Sequence, residues 1–106
     1  MVAELNTGNE YFGGKGRLVS YVKHIDERGI LLPFDFNEMP FKPCRSFVIT
    51  GTSAGTTRGG HSHRTAQQML VCLHGRIEIL MRDSSQEVTV VLEPNSFGLV
   101  FGPGIW

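Results

Sequence analysis

The sequence predicts an all-β fold, a barrel or sandwich built from short strands. Runs rich in β-branched and aromatic residues recur along the chain, and Gly, Pro, Asp, Asn and Ser separate them, as turns separate consecutive strands. In the runs 77–81 and 88–92 apolar residues occupy every second position, which is typical of a strand with one buried face. No segment requires a helix. The spacing of the runs favours a sandwich or a barrel.

The predicted elements begin after a glycine-rich start. Residues 1–16 have little periodic apolar content, so we expect a flexible N-terminal leader there. Residues 37–43 contain Pro40 and Pro43 and predict an irregular crossing. The expected strands are 18–23, 29–33, 45–50, 66–73, 76–81, 87–92 and 97–101.

A single domain is expected, because 106 residues are too few for two cores of ordinary size. We place this domain at residues 17–106. Hydrophobic residues make up 41% of the chain, enough to form a core. Residues 97–106 resemble a strand and a tight turn that should lead into another strand. The domain is therefore expected to be incomplete at its C-terminus and to lack its last strands.

Charge and hydropathy exclude several classes of partner. Ten basic residues balance ten acidic ones, so no overall positive field would hold a nucleic acid or an anionic membrane. No run approaches the ~20 apolar residues of a membrane helix, and polar residues stand where a signal peptide needs an apolar run. These features predict a cytoplasmic protein that binds a small ligand.

The two cysteines, Cys44 and Cys72, are far apart in sequence and form no CxxC motif. We expect two buried thiols, the common state of cytosolic cysteine, and a disulfide bridge or one cysteine of each kind are the alternatives.

A histidine pair dominates the chemistry that the sequence offers. His61 and His63 are two residues apart, so on a strand both side chains point the same way into whatever the sheet encloses. Gly55, Gln68 and Gly75 stand at the spacings of the first cupin motif, which places a glutamate where this chain has Gln68. The segment therefore resembles that motif.

Gln68 decides between metal and metal-free chemistry. In most cupins the two histidines bind a metal together with the glutamate and a further histidine, whereas a neutral amide is a poor ligand for a divalent transition metal. We therefore expect no metal and no cofactor, with His61 and His63 acting as acid and base. A metal-dependent site and two histidines without any role are the alternatives. Imidazole titrates near pH 6.5, and two adjacent rings are rarely both protonated, which separates an acid from a base.

The wider sequence resembles the WxcM-like family. The match lies in residues 45–49, in the segment Arg58 to Arg64 (RGGHSHR) and in 68–75 (QMLVCLHG), and it extends over roughly 18–106. The resemblance implies a cupin (RmlC-like) jelly-roll barrel that forms a homodimer and binds a dTDP-hexose. It further implies that the keto group of dTDP-4-keto-6-deoxyglucose moves between C4 and C3 through an enediol, with His61 and His63 as the catalytic pair. Such enzymes serve deoxysugar biosynthesis for lipopolysaccharide O-antigen.

Three further residues are expected to bind the substrate. Arg58 carries a fixed positive charge that suits a diphosphate, with an exposed loop arginine as the alternative. Gly60 belongs to the same motif, and Gln68 suits a sugar hydroxyl or the ordering of the histidines. Phe101 and Trp106 are expected to pack the end of the barrel, and stacking against a nucleobase is the alternative.

A second function remains open beside the isomerase. The family has a histidine directly after the tryptophan that corresponds to Trp106, and this sequence ends at that residue. The alternative is therefore a non-catalytic cupin module that binds nucleotide sugars.

Overall fold

The computed structural model describes residues 3–4, 10–60 and 65–106. Within these residues the regular structure is almost entirely β, which confirms the predicted class. A 3₁₀ turn covers Phe12–Gly14. The strands are β1 Ala3–Glu4, β2 Glu10–Tyr11, β3 Gly16–Ser20, β4 His24–Asp26, β5 Gly29–Leu31, β6 Gln68–Leu70, β7 Ile77–Arg82, β8 Glu87–Leu92 and β9 Gly98–Phe101.

A five-stranded antiparallel sheet forms the centre of the fold. β3 pairs with β9, and β9 pairs with β6, while β1 and β2 both pair with β3. Gly16 lies opposite Phe101, and Phe101 lies opposite Gln68. Paired residues of neighbouring strands project from the same face, so this register sets which side chains share a surface.

Two hairpins accompany the sheet, β4–β5 and β7–β8. The β7–β8 turn is held by the carboxylate of Asp83, which accepts the N–H groups of Ser85 and Gln86 at 2.8 Å each. Past β9 the chain returns to the free edge of β7. There Trp106 and Arg82 exchange two backbone hydrogen bonds, of 2.8 and 3.0 Å. Within the described residues the sheet and the hairpins form separate ladders, so the barrel is not closed.

Two apolar clusters cover the two faces of the sheet. The inner cluster joins the sheet to the β7–β8 hairpin and consists of Phe12, Cys72, Met81, Val90, Leu92, Leu99 and Ile105. The outer cluster lies on the other face, where Val19, Tyr21 and Val100 pack against Leu32, Phe34, Phe41, Met69 and Val71. Leu99 and Val100 are adjacent on β9 and enter different clusters, as the alternation of side chains along a strand requires.

Most predicted strands coincide with observed ones. The hairpin predicted at 76–81 and 87–92 is confirmed by β7 and β8, and the strand at 97–101 by β9. The strand predicted at 45–50 is wrong, since these residues are irregular and exposed. Their composition suits a strand, but no described strand pairs with them.

The start of the chain differs from the predicted flexible leader. β2 pairs with β3, and Phe12 is buried in the inner cluster. Tyr11 and Phe12 thus contribute apolar surface to the fold. The glycine-rich composition of this segment gave no indication of that contribution. The division of the chain at residue 16 stays a prediction.

Candidate active site

Gln68 is the predicted site residue that the structure places most clearly. It begins β6 and is half-buried. It lies opposite Phe101, whose side chain packs against the inner cluster. Gln68 therefore belongs to the face of the sheet that is directed at the β7–β8 hairpin.

Arg58 and Gly60 lie in a long irregular segment, and both are exposed. Gly59 and Gly60 adopt φ angles of 100° and 78°. This left-handed region is readily available to glycine, so the backbone that approaches the histidine pair depends on glycine here. No hydrogen bond joins Arg58 to Gln68 in the part of the chain that the structure describes. Their shared role in binding stays a prediction.

His61 and His63 lie outside the described residues, which resume at residue 65. The irregular segment before them ends at Gly60, and β6 begins after them at Gln68. Their role as acid and base is taken up below as a proposal.

The sheet brings aromatic residues to the same end as Gln68. One row across the strands runs from Gln68 to Phe101, Gly16 and Tyr11. Gly102, which follows Phe101, donates its N–H to the carbonyl of Lys15 at 2.8 Å. A side chain larger than hydrogen at position 16 would meet ring atoms of Phe12 and the Sδ of Met81 within 3.8 Å. Aromatic side chains therefore line this end of the inner face, and Gln68 is the polar side chain in the same row.

A pocket of about 340 Å³ is lined by Arg82, Asp83, Ser84, Gly104 and Trp106. The guanidinium carbon of Arg82 lies 5.9 Å from the centre of the Trp106 ring system. The backbone N–H groups of Ser85 and Gln86 hold the pKa of Asp83 below its usual value. Sequence analysis singled out Trp106 but missed Arg82. A pattern of alternation gives no signal for a pairing between two distant segments.

The described residues contain no group of three or more His, Cys, Asp and Glu side chains arranged to hold a metal ion. No helix among them has the length and apolar character needed to cross a bilayer.

The fold and its solved relatives define a class, the cupin-type sugar ketoisomerases. The sugar 3,4-ketoisomerase QdtA from Thermoanaerobacterium thermosaccharolyticum, solved in complex with TDP, aligns with a TM-score of 0.81 and 32% identity. The alignment covers 87% of this chain and 68% of that one. A histidine-to-asparagine variant of the same protein, solved with TDP-4-keto-6-deoxyglucose, gives the same TM-score at 31% identity, over 87% of this chain and 67% of the variant.

The sequence comparisons identify the family. Residues 15–106 match the FdtA family, described as WxcM-like, C-terminal. The TDP-4-oxo-6-deoxy-alpha-D-glucose-3,4-oxoisomerase of Aneurinibacillus thermoaerophilus is 31% identical over 93 residues, which span 87% of this chain and 67% of that protein. The chain belongs to the WxcM-like family. The predictions of a cupin-type fold and of a ketoisomerase-like enzyme are confirmed by these relatives.

Proposed function

We propose that this protein moves the keto group of dTDP-4-keto-6-deoxyglucose between C4 and C3. The similarity to the Aneurinibacillus oxoisomerase, which extends over 87% of the chain, is the observation that carries this proposal. The half-buried amide of Gln68 on the inner face of the sheet agrees with it, because a polar group there faces the space that a sugar would enter.

In the proposed mechanism His61 and His63 transfer the protons. One imidazole removes the proton from C3. The electron pair of that C–H bond forms the C3–C4 double bond as the π bond of the C4 carbonyl breaks, and O4 takes up a proton, which gives the enediol. The other imidazole then delivers a proton to C4, and the C3 hydroxyl loses its proton as C3 becomes the ketone, so the two protons lost from C3 and O3 match the two gained by O4 and C4. C3 is oxidised and C4 is reduced within one molecule, so atoms and electrons balance without a redox cofactor.

The remaining predicted residues position the substrate. Arg58 binds the diphosphate through charge-assisted hydrogen bonds. Gly60 lets the backbone approach the sugar, and Gln68 accepts or donates a hydrogen bond to a sugar hydroxyl. We further propose a cytoplasmic homodimer that serves deoxysugar biosynthesis for lipopolysaccharide O-antigen.

The test is proton NMR of dTDP-4-keto-6-deoxyglucose in heavy water with the purified protein. We expect a 3-keto product that carries deuterium at C4, the carbon that receives the proton. His61→Asn and His63→Asn should each slow turnover about 10²- to 10⁴-fold, the usual contribution of a general acid or base. His74→Asn is the matched control, because His74 is exposed beside a bend of the chain.

Calorimetry with TDP separates the two functional hypotheses. Binding of TDP by a protein that produces no 3-keto sugar would favour the non-catalytic binding module. Full activity in both histidine variants would refute the proposed acid and base.

A further inference from the structure

Two exposed apolar surfaces lie outside the candidate active site. The first is the β4–β5 hairpin, in which Ile25 is 68% exposed and Ile30 is 46% exposed. The second is the segment 45–50, in which Phe47 is 67% exposed and Ile49 is 51% exposed. Apolar side chains that cluster and remain exposed mark an interaction surface in most soluble proteins. Each surface is therefore a candidate contact with another molecule.

The β4–β5 hairpin has an apolar face and free edges. Within the described residues β4 and β5 pair only with each other, so the outer edge of each strand joins no ladder. Ile25 lies opposite Ile30, and paired residues share a face, so the two side chains project together. Leu32 follows β5 directly and packs against the outer cluster, which anchors the base of the hairpin. A two-stranded hairpin is marginally stable by itself, and a third strand along a free edge would stabilise it.

The turn of this hairpin is ordered and carries a negative charge. The carboxylate of Asp26 accepts the backbone N–H of Arg28 at 2.8 Å and a guanidinium N–H of the same residue at 2.6 Å. These two charges neutralise each other. Glu27 lies between them and is exposed, so it provides the net charge of the turn.

The segment 45–50 has the composition of a strand and no ladder partner among the described strands. In an extended chain Phe47 and Ile49 point to one side and Val48 to the other. A free sheet edge on another molecule would supply the missing partner, because an extended segment can add to such an edge as a further strand.

Charge indicates which molecule supplies that edge. Residues 24–38 contain four acidic residues and one basic residue, whereas residues 42–58 contain three basic residues and no acidic one. The two surfaces do not cover each other within one copy, since both remain exposed. Opposite charges steer surfaces together, and like charges keep two equal surfaces apart. The hairpin of one copy therefore suits the segment 45–50 of a second copy, and a twofold axis forms both contacts at once.

We propose that two copies of this chain associate by adding the segment 45–50 of one copy as a strand to a free edge of the β4–β5 hairpin of the other. Phe47 and Ile49 extend the apolar face of Ile25 and Ile30, and Val48 stays on the solvent side. This inference rests on the homodimer of the proposed function and names its contact surface. The proton transfer does not enter it.

Sedimentation equilibrium over a range of protein concentrations tests the contact. The wild type should reach twice the 11.8 kDa mass of the chain. Phe47→Ala should raise the dissociation constant about 100-fold, because symmetry removes the ring twice and each loss costs about 10-fold at the centre of an interface. Val48→Ala is the matched control and should leave the constant unchanged. Both positions are exposed within one copy, so circular dichroism should show the same fold in both variants.

Charge reversal tests the pairing of the two surfaces. Glu27→Lys and Arg45→Glu should each weaken the dimer about 10-fold, because each places like charges across the contact. The double variant should recover most of the affinity, since it restores opposite charges. Arg76→Glu is the control for charge reversal elsewhere, because Arg76 is exposed on another part of the chain and pairs with Glu78 at 3.6 Å.

The outcomes separate this inference from the proposed reaction. A monomer at every concentration would overturn the contact and give the two surfaces a different occupant. A dimer that is insensitive to Phe47→Ala and to both charge reversals would also overturn it, because another surface then holds the copies together. Either result combined with turnover of the keto sugar leaves the isomerase intact. A dimer that responds as expected but produces no 3-keto sugar supports the contact and refutes the isomerase.

Discussion

Strand β9 and the segment 45–50 have similar compositions and opposite environments. β9 carries Leu99 and Val100, both 0% exposed. The segment 45–50 carries Phe47 and Val48, which are 67% and 69% exposed. β9 lies between β3 and β6 and pairs with both, whereas no described strand pairs with 45–50. The difference lies in the neighbours of each run and not in its own residues.

This comparison shows what strand propensity measures. β-branched and aromatic residues suit a pleated, half-buried surface, but that surface exists only where another strand provides hydrogen bonds and side-chain contacts. β9 obtains those contacts from β3 and β6, which lie far from it in sequence. A run of suitable residues is therefore necessary for a strand and insufficient for one.

The largest expected effect contrasts the two runs directly. Leu99→Ala should lower the free energy of unfolding by about 2–5 kcal/mol, because it leaves a cavity where the hairpin packs on the sheet. Val48→Ala should change it by less than about 0.5 kcal/mol, as exposed positions usually do. Urea unfolding of both variants provides the measurement. Equal losses would contradict the difference in burial.

A glycine in each region sharpens the comparison. A Cβ at Gly98 would lie 2.6 Å from the Cε of Met69, with the Leu70 carbonyl oxygen and a Val19 methyl at 3.4 Å. Gly98→Ala should therefore cost about 1–3 kcal/mol through overpacking. Much of that cost should vanish in a Met69→Leu background, because leucine has no Cε.

Gly51 is the control for this pair. Nothing lies within 4 Å of its added Cβ, and its φ is 73°. Gly51→Ala should cost about 1 kcal/mol through the backbone alone, and Met69→Leu should not alter that cost. If Met69→Leu leaves the cost of Gly98→Ala unchanged as well, the contact with Met69 does not determine that cost.

A substitution of Tyr21 tests how the outer cluster contributes to stability. Its buried hydroxyl has no hydrogen-bond partner in the described part of the chain. Burial raises the pKa of Tyr21, and the nearby backbone N–H groups of Asn95 and Ser96 oppose the rise. Tyr21→Phe should therefore change stability at pH 7 by less than about 1 kcal/mol, since no made bond is lost.

At alkaline pH the two proteins should diverge. A raised pKa in the folded state means that the unfolded chain ionises first, so wild-type stability falls as pH rises above about 10. Tyr21→Phe should remove part of that fall, whereas Tyr11→Phe is the control on a half-buried ring. Thermal unfolding between pH 8 and 11 measures both, and parallel curves for wild type and Tyr21→Phe would contradict the prediction.

The smallest effect concerns the β7–β8 turn. The backbone N–H groups of Ser85 and Gln86 lower the pKa of Asp83 in the folded state. The stability that this carboxylate contributes is present above its unfolded pKa, near 3.9, and is lost as pH falls through the folded value. Asp83→Asn should thus be slightly less stable than wild type at pH 7, with the gap closing in acid. Glu87→Gln controls for the loss of a charge, and a gap independent of pH would rule out this origin.

Local patterns in the sequence suffice for the parts of the fold in which neighbouring residues decide the structure. The β7–β8 hairpin follows from alternation on both sides of a polar turn, and Gln68 was located by its spacing from the histidine pair. Tyr11 and Phe12 were missed because glycines surround them. The pairing of Arg82 with Trp106 depends on the path of the chain after β9, and no local pattern encodes that path.

The two thiols differ in exposure, and this difference allows the opening of the fold to be timed. Both are free, as expected, but Cys44 is exposed and only Cys72 is buried, at 1% exposure in the inner cluster. A thiol reagent should modify Cys44 at once and Cys72 only when the hairpin separates from the sheet, because buried groups react through opening. In a Cys44→Ser protein, the slow labelling of Cys72 would time that separation under native conditions.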